Sequence, residues 1–173
     1  SIKSVADLKG RSVSIGAPGS GVYFNATDVL AAAGLAETDI NAQYQSFADS
    51  ADALKDGKID AAFIVAGAPT PAITELCTTN SAYLVPIDGA VADAMMAASP
   101  FYTAYVIPAG TYNGQTDDVT TVTVKATLIV SASASENDVY NLTKAIFDNV
   151  DAIAAENGKG KELSVDNATS GMA

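Results

Sequence analysis

Twice, at residues 12–33 and again at 60–78, the chain passes from a β-prone apolar stretch through a glycine- and proline-containing turn directly into a helical pattern. Units joined so tightly must pack strand against helix, and a succession of them builds a mainly parallel sheet covered on both faces. In the first unit Ser12–Gly16 (SVSIG) alternates as a strand with Val13 and Ile15 inward, Ala17-Pro18-Gly19-Ser20-Gly21 turns, and a helix runs to about Ala33. Val22, Ala26, Val29, Leu30 and Ala33 recur at three- and four-residue spacing, and Gly34 supplies the stop. In the second unit Asp60–Ala66 (DAAFIVA) is the strongest strand candidate in the chain. Gly67-Ala68-Pro69-Thr70 follows as the turn and Pro69–Thr78 as the helix, with proline in the first turn, where a missing N–H costs nothing.

The remaining pattern continues this alternation. Asn41–Phe47 reads as a strand and Asp49–Asp56 as a short helix with Ala53 and Leu54 inward, ended by Gly57. Tyr83–Ile87 reads as a strand and Gly89–Ala98 as a helix carrying Val91, Met95 and Met96. From Ala104 to Ser131 the chain turns rich in Thr, Val and Tyr, broken at Pro108–Gly114. The run Val119–Val130 exceeds the roughly five to six residues of an average strand, so it is expected to be a bent strand pair or a crossing between two lobes. Asn137–Ala155 is expected as one amphipathic helix with Val139, Leu142, Ile146, Val150 and Ile153 on a face, followed by a helical piece near Val165–Thr169. No internal repeat or low-complexity tract interrupts the alternation.

The totals exclude several function classes. At 173 residues, 49% hydrophobic and 17% charged, the chain has material for a core as one domain or two small ones sharing a crossover. A net charge of −11, with only nine Lys and Arg spread along the chain, argues against nucleic acid and against adsorption to anionic headgroups. The single cysteine, Cys77, allows no intrachain disulfide. No apolar run reaches the roughly 18–20 residues of a membrane span. Ser1-Ile2-Lys3 opens an ordinary polar stretch, so in a secreted protein the targeting segment would already be gone.

A search for catalytic chemistry returns little. The chain has no His, which removes the usual general base and the commonest metal ligand. Cys77 has no His to activate it and reads as a bystander thiol. Asp49, Asp52, Asp56 and Asp60 are spaced as solvated helix and turn residues, and Asp117-Asp118 falls in a loop. No catalytic residue, metal site or cofactor is expected. The glycine loop says more. A strand-to-helix turn leaves backbone N–H groups unpaired, and the helix dipole favours an anion there. Gly19 and Gly21 permit close approach, while Ser20 either donates to a ligand or simply caps the helix. The loop is neither a P-loop nor a dinucleotide fingerprint. At the second junction, Gly67 and Thr70 repeat the arrangement, and in a parallel sheet both turns fall at the carboxyl edge where ligands bind. Asn25, one turn into the first helix and off its apolar face, meets either a ligand or water. Tyr102 and Tyr105 read as core or interface aromatics with ligand stacking as the other option, and Met95 and Met96 as core.

On these residues the chain resembles the TAXI family of solute receptors that serve TRAP-type transporters. DLKGRSVSIGAPGSGVYFNATDVLAAAGL (Asp7–Leu35) and SFADSADALKDGKIDAAFIVAGAPTPAITEL (Ser46–Leu76) carry the likeness. LVPID (Leu84–Asp88), PFYTAYVIPAGTYNGQ (Pro100–Gln115) and VTTVTVKATLIV (Val119–Val130) extend it in the family's order over nearly the whole chain. The resemblance implies an α/β, periplasmic-binding-protein-like (type II) fold with two lobes closing on a cleft. One lobe, residues 10–118, would be complete, and residues 119–173 would form the crossover and part of the second. It further implies chain before and after this stretch, so that the sequence is a fragment, and a hinge near Ser4–Gly10 and Val119–Val130. Family members bind glutamate, glutamine or related organic acids, which implies a periplasmic, non-enzymatic receptor for a small anionic solute and a TRAP transporter membrane subunit as partner, with no nucleic acid. Ser20, Gly21, Asn25, Gly67 and Thr70, with Tyr102 beside them, would hold the solute through N–H and hydroxyl donors. Two rivals remain at this level: a small α/β enzyme gripping a phosphate in the glycine loop, and a surface domain with no ligand.

Overall fold

Val13 and Ile15 are fully buried, and β1 (Ser12–Ser14), which carries Val13 and leads directly into Ile15, sits at the centre of a three-stranded parallel sheet. A computed structural model describes residues 1–80 and 82–169. β1 pairs with β2 (Asn41–Gln43) through Ser12 opposite Asn41 and Ser14 opposite Gln43, and on its other side with β3 (Ala61–Ala62) through Val13 opposite Ala61. The helices α1 (Gly21–Ala32) and α2 (Phe47–Lys55) are the crossovers between these strands, so the expected α/β class with parallel pairing is what the chain forms. Ala26, Val29 and Leu30 bury one face of α1, as their spacing requires.

The turn from β1 into α1 depends on Gly16. Its φ is 78°, in the left-handed region, and a Cβ there would lie 2.7 Å from the Val22 Cβ. Gly34, just past the helix, has a similar φ of 75° but nothing within 4 Å of a notional Cβ.

α3 (Pro71–Thr79) follows β3, and α4 (Gly89–Ala98) starts and stops where the sequence pattern places it, with Met95 buried. Ile73 and Cys77 of α3 pack with Tyr112, and Ile64, Leu84 and Ile107 close around them; Cys77 is a free, buried thiol. β4 (Thr103–Ile107) and β5 (Val119–Thr123) form an antiparallel pair in which Tyr105 faces Thr121.

Several boundaries differ from expectation. Residues 83–87 are not a ladder strand: Pro86 has no N–H to give, and the Ile87 amide reaches the Thr120 carbonyl at 3.0 Å. The β-prone run beginning at Val119 is a strand only to Thr123; Leu128, Ile129 and Val130 beyond it are exposed. The helix expected over 137–155 is two, α5 (Glu136–Asp148) and α6 (Val150–Glu156). Asn149 breaks it, because its side-chain amide takes the Ala145 carbonyl at 2.7 Å and its own backbone leaves the helical region at ψ 24°. The helical piece near 165 is one short turn, Val165–Asn167, so Thr169 lies outside it.

The chain divides into two compact units, 1–123 and 124–173. The second, described to residue 169, holds α5, α6 and two short 3-10 turns, and Gly160 is the one buried residue among those described.

Gly16→Ala combines left-handed strain with a clash against Val22, and should cost about 2–4 kcal/mol in denaturant unfolding. Gly34→Ala, with the strain alone, should cost about 1 kcal/mol, so equal losses would refute the close approach at Gly16.

Candidate functional site

Three strands of one parallel sheet end on the same edge, and each leads into a helix there. β1 feeds the loop 15–20 and α1, β2 the loop 44–46 and α2, β3 the loop 63–70 and α3. At the head of α1 the Ser20 Oγ accepts the Tyr23 N–H at 3.2 Å, the arrangement of an N-cap. Its O–H keeps no partner among the described residues. The N–H groups of Gly21 and Val22 sit at the first two helical positions, where no intrahelical acceptor exists, and they carry the positive end of the helix dipole. Ser46 caps α2 in the same way, accepting the Asp49 N–H at 3.1 Å.

The second expected junction is used differently. The Thr70 hydroxyl donates to the Gly67 carbonyl at 3.0 Å, and the Thr70 N–H donates to the Tyr112 hydroxyl at 2.9 Å. Thr70 is buried and both its donors are spent within the fold, so it shapes the loop, while Gly67 stays exposed. The Ala68-Pro69 peptide in this loop is cis.

Asn25 and Tyr102 are brought together, and what they bind is each other. Asn25 Nδ2 donates to the Tyr102 hydroxyl at 2.6 Å, and that hydroxyl donates to Asp28 Oδ2 at 2.6 Å. The chain links the first face of α1 to the segment between α4 and β4. Burial and the adjoining Asp28 carboxylate push the Tyr102 phenol up to about 12. The reading of Tyr102 as a core aromatic agrees with its buried position, and Asn25, read from sequence as meeting a ligand or water, donates to that hydroxyl.

Three residues that meet through their side chains escaped sequence reasoning. Tyr23, in the first turn of α1, donates to Glu37 Oε2 at 2.8 Å, and Tyr44, the first residue beyond β2, donates to Glu37 Oε1. The two rings lie 6.5 Å apart, and Phe24 meets Tyr23 edge-on at 5.6 Å. The hydroxyl of Tyr44, then that of Tyr23, hold the Glu37 carboxyl below the usual carboxylate range, and both phenols are raised in turn. Nothing in the local pattern marks these residues, because Glu37 lies 14 residues from Tyr23 in a short polar turn. Tyr112 and Asp28 escaped for the same reason. In the neighbouring β2–α2 loop, Gln45 Oε1 is buried without a hydrogen-bond partner among the described residues.

Elsewhere in the first unit a groove of about 300 Å³ lies between Tyr83, Leu84 and Pro86 on one side and Gln115 and Asp117 on the other. Among the described residues no group of His, Cys, Asp or Glu could hold a metal ion, and no helix is long and apolar enough to cross a membrane. The aspartates between 49 and 60 have local tasks: Asp56 pairs with Lys58 at 2.8 Å and Asp60 accepts the Ser12 N–H at 2.9 Å.

A family model described as "NMT1-like family" matches residues 1–173. The crystal structure of the periplasmic aliphatic sulphonate binding protein SsuA from Escherichia coli is similar at 34% identity over 46% of this chain and 24% of that chain, with a TM-score of 0.39. The match thus takes in about a quarter of that protein's length.

The Tyr102 phenol has a testable consequence. Its pKa is raised in the fold, so its contribution is fully present below the unfolded value near 10.0 and is lost as pH rises toward about 12. Tyr102→Phe should therefore destabilise the chain by about 1–3 kcal/mol at neutral pH. It should also flatten the fall in stability between those two pH values in alkaline unfolding series; an unchanged alkaline slope would contradict the assigned network.

Proposed function

The chain belongs to the NMT1-like family, and on that footing we propose that it is the solute-capturing part of an extracytoplasmic receptor serving a membrane transporter. The observation that carries the reading is the head of α1. Ser20 Oγ closes one N–H, the N–H groups of Gly21 and Val22 remain for an acceptor, and Gly16 lets the loop fold tightly enough to present them. Fixed donors of this kind suit a small anion. Such donors would hold it without a covalent step.

Within that reading the six residues singled out by sequence divide into two groups. Ser20, Gly21 and Gly67 would meet the solute, Ser20 by its O–H and the glycines by exposed backbone. Asn25, Thr70 and Tyr102 would set the loops that present those groups, since their own hydrogen bonds turn inward. The floor of the site would belong to a lobe of residues 10–118, with 119–173 as crossover and part of a second lobe. The finer reading we favour is a receptor of the TAXI type, periplasmic, delivering a carboxylate or amino acid such as glutamate to a TRAP transporter membrane subunit. The support for that finer level is the resemblance of the blocks at Asp7–Leu35 and Ser46–Leu76.

A thermal-shift screen of the protein against amino acids, dicarboxylates, short sulphonates and nucleotides tests the proposal. A true ligand at about 100 times its dissociation constant should add about 2.7 kcal/mol of stability and raise the midpoint clearly. Ser20→Ala should lower its affinity while costing about 1 kcal/mol in stability through the lost cap. Stabilisation by a nucleotide and by no acid would replace the receptor reading with that of a phosphate-binding enzyme.

A further inference from the structure

The groove of about 300 Å³ between residues 82–88 and 114–120 shares no lining residue with α1 or the glycine loop. Tyr83, Leu84 and Pro86 give it an apolar wall, and Asp88, Asp117 and Asp118 set three carboxylates around it. Both sides are fixed by the fold itself. Gln115 Nε2 donates to the carbonyls of Pro108 at 3.1 Å and Asp117 at 3.0 Å, and the Ile87 N–H, donating to the Thr120 carbonyl at 3.0 Å, ties one side to the other.

Carboxylates gathered on a surface are ordinarily a solvated patch, and two features set these apart. The first is that their charge is not balanced. Asp88 is the N-cap residue of α4, yet its side chain makes no capping bond. Asp117 Oδ2 accepts the Thr116 hydroxyl at 2.7 Å and Asp118 Oδ1 accepts the Ala109 N–H at 2.8 Å, which leaves the second oxygen of each uncommitted. Among the described residues no Lys or Arg pairs with any of the three. The second feature is an ammonium already on the wall. Lys3 Nζ lies over the Tyr83 ring, 3.7 Å from its centroid. Both residues are exposed, so that contact is weak and easily displaced. A small cavity with an aromatic face and fixed negative charge suits a flexible carbon chain ending in a primary ammonium. The stem covers the apolar wall while the charge meets the carboxylates. The chain's net charge of −11 draws cations towards it.

We propose that this groove is a second binding site, one that takes an alkylammonium group with its charge between Asp88 and Asp117 and its carbon stem along Tyr83 and Pro86. A bound ammonium takes the Tyr83 ring in place of Lys3, so Lys3 is an internal competitor for the site. The proposal does not rest on the receptor reading, because the groove and the head of α1 have no residue in common. Free aliphatic diamines and the lysine side chains of a protein partner both carry this chemistry.

Amide chemical shifts of the full 173-residue chain, followed at low ionic strength during titration with n-butylammonium chloride and separately with 1-butanol, test it. The ammonium should move amides among residues 83–88 and 114–120 saturably. It should bind about tenfold tighter than the alcohol, the ratio expected of one charge-assisted contact. Asp88→Asn combined with Asp117→Asn should remove that advantage. Lys3→Gln should tighten binding about twofold to fourfold, because the ring loses its internal competitor. All three positions are exposed, and melting curves show that each variant is folded when titrated. Cadaverine and an end-blocked Gly-Lys-Gly peptide, titrated in the same way, separate the sources: tighter binding of the diamine identifies a free amine, tighter binding of the peptide a protein partner. Shifts that do not saturate, equal binding of the alcohol, or an advantage that survives both Asn substitutions would overturn the site. Unchanged affinity in Lys3→Gln would remove the Tyr83 ring from it.

Discussion

The first unit is organised around one short strand with nothing exposed on either face. β1 and the residue after it bury Val13 and Ile15 completely, and between them lies buried Ser14, a hydroxyl that would cost about 1–3 kcal/mol if left without a partner. Ser50 of α2 meets it at 2.8 Å and also reaches the Ser46 carbonyl at 2.7 Å. That pair of buried hydroxyls ties the crossover helix to the central strand, and slipping β1 by one residue would turn Val13 and Ile15 out and break it. The parallel pairings to β2 and β3 then bring three strand ends to one edge, and the helix heads follow because a short turn leaves them nowhere else to go.

At that edge the polar residues sort by where their hydrogen bonds are spent. Asn25, Tyr102 and Asp28 are joined by hydrogen bonds within the fold, as are Thr70, Gly67 and Tyr112. In the proposed receptor, these bonds would hold the loops from which Gly21 and Val22 offer their N–H groups, and preorganised amides bind without the cost of first being ordered.

The second unit follows a different physics. α5 and α6 are amphipathic by pattern, yet no side chain on either is buried, and Tyr140, Leu142 and Val165 remain exposed. Periodicity is a local property and forms the helices; burial needs a partner surface, and within these residues none closes over the apolar faces. The same distinction explains residues 126–130, where β propensity is high and no ladder forms.

The alternation of strand and helix as far as α3, the two glycine junctions, the cap at Ser20 and the bounds of α4 were legible in the sequence, because each depends on residues within a few positions of one another, whereas the strand expected at Asp60–Ala66 is only Ala61–Ala62. So was the absence of an imidazole from these 173 residues. Tertiary structure alone decided the partners of the polar side chains. Asn25 and Tyr102 are 77 residues apart, Thr70 and Tyr112 are 42, and Glu37 reaches two tyrosines from different elements. A side chain one turn into a helix looks the same in sequence whether it faces a ligand, water or a buried phenol. Only the packing of α1 against the segment after α4 selects among them, because a hydrogen bond requires atoms within about 3 Å and an alignment that no local pattern encodes.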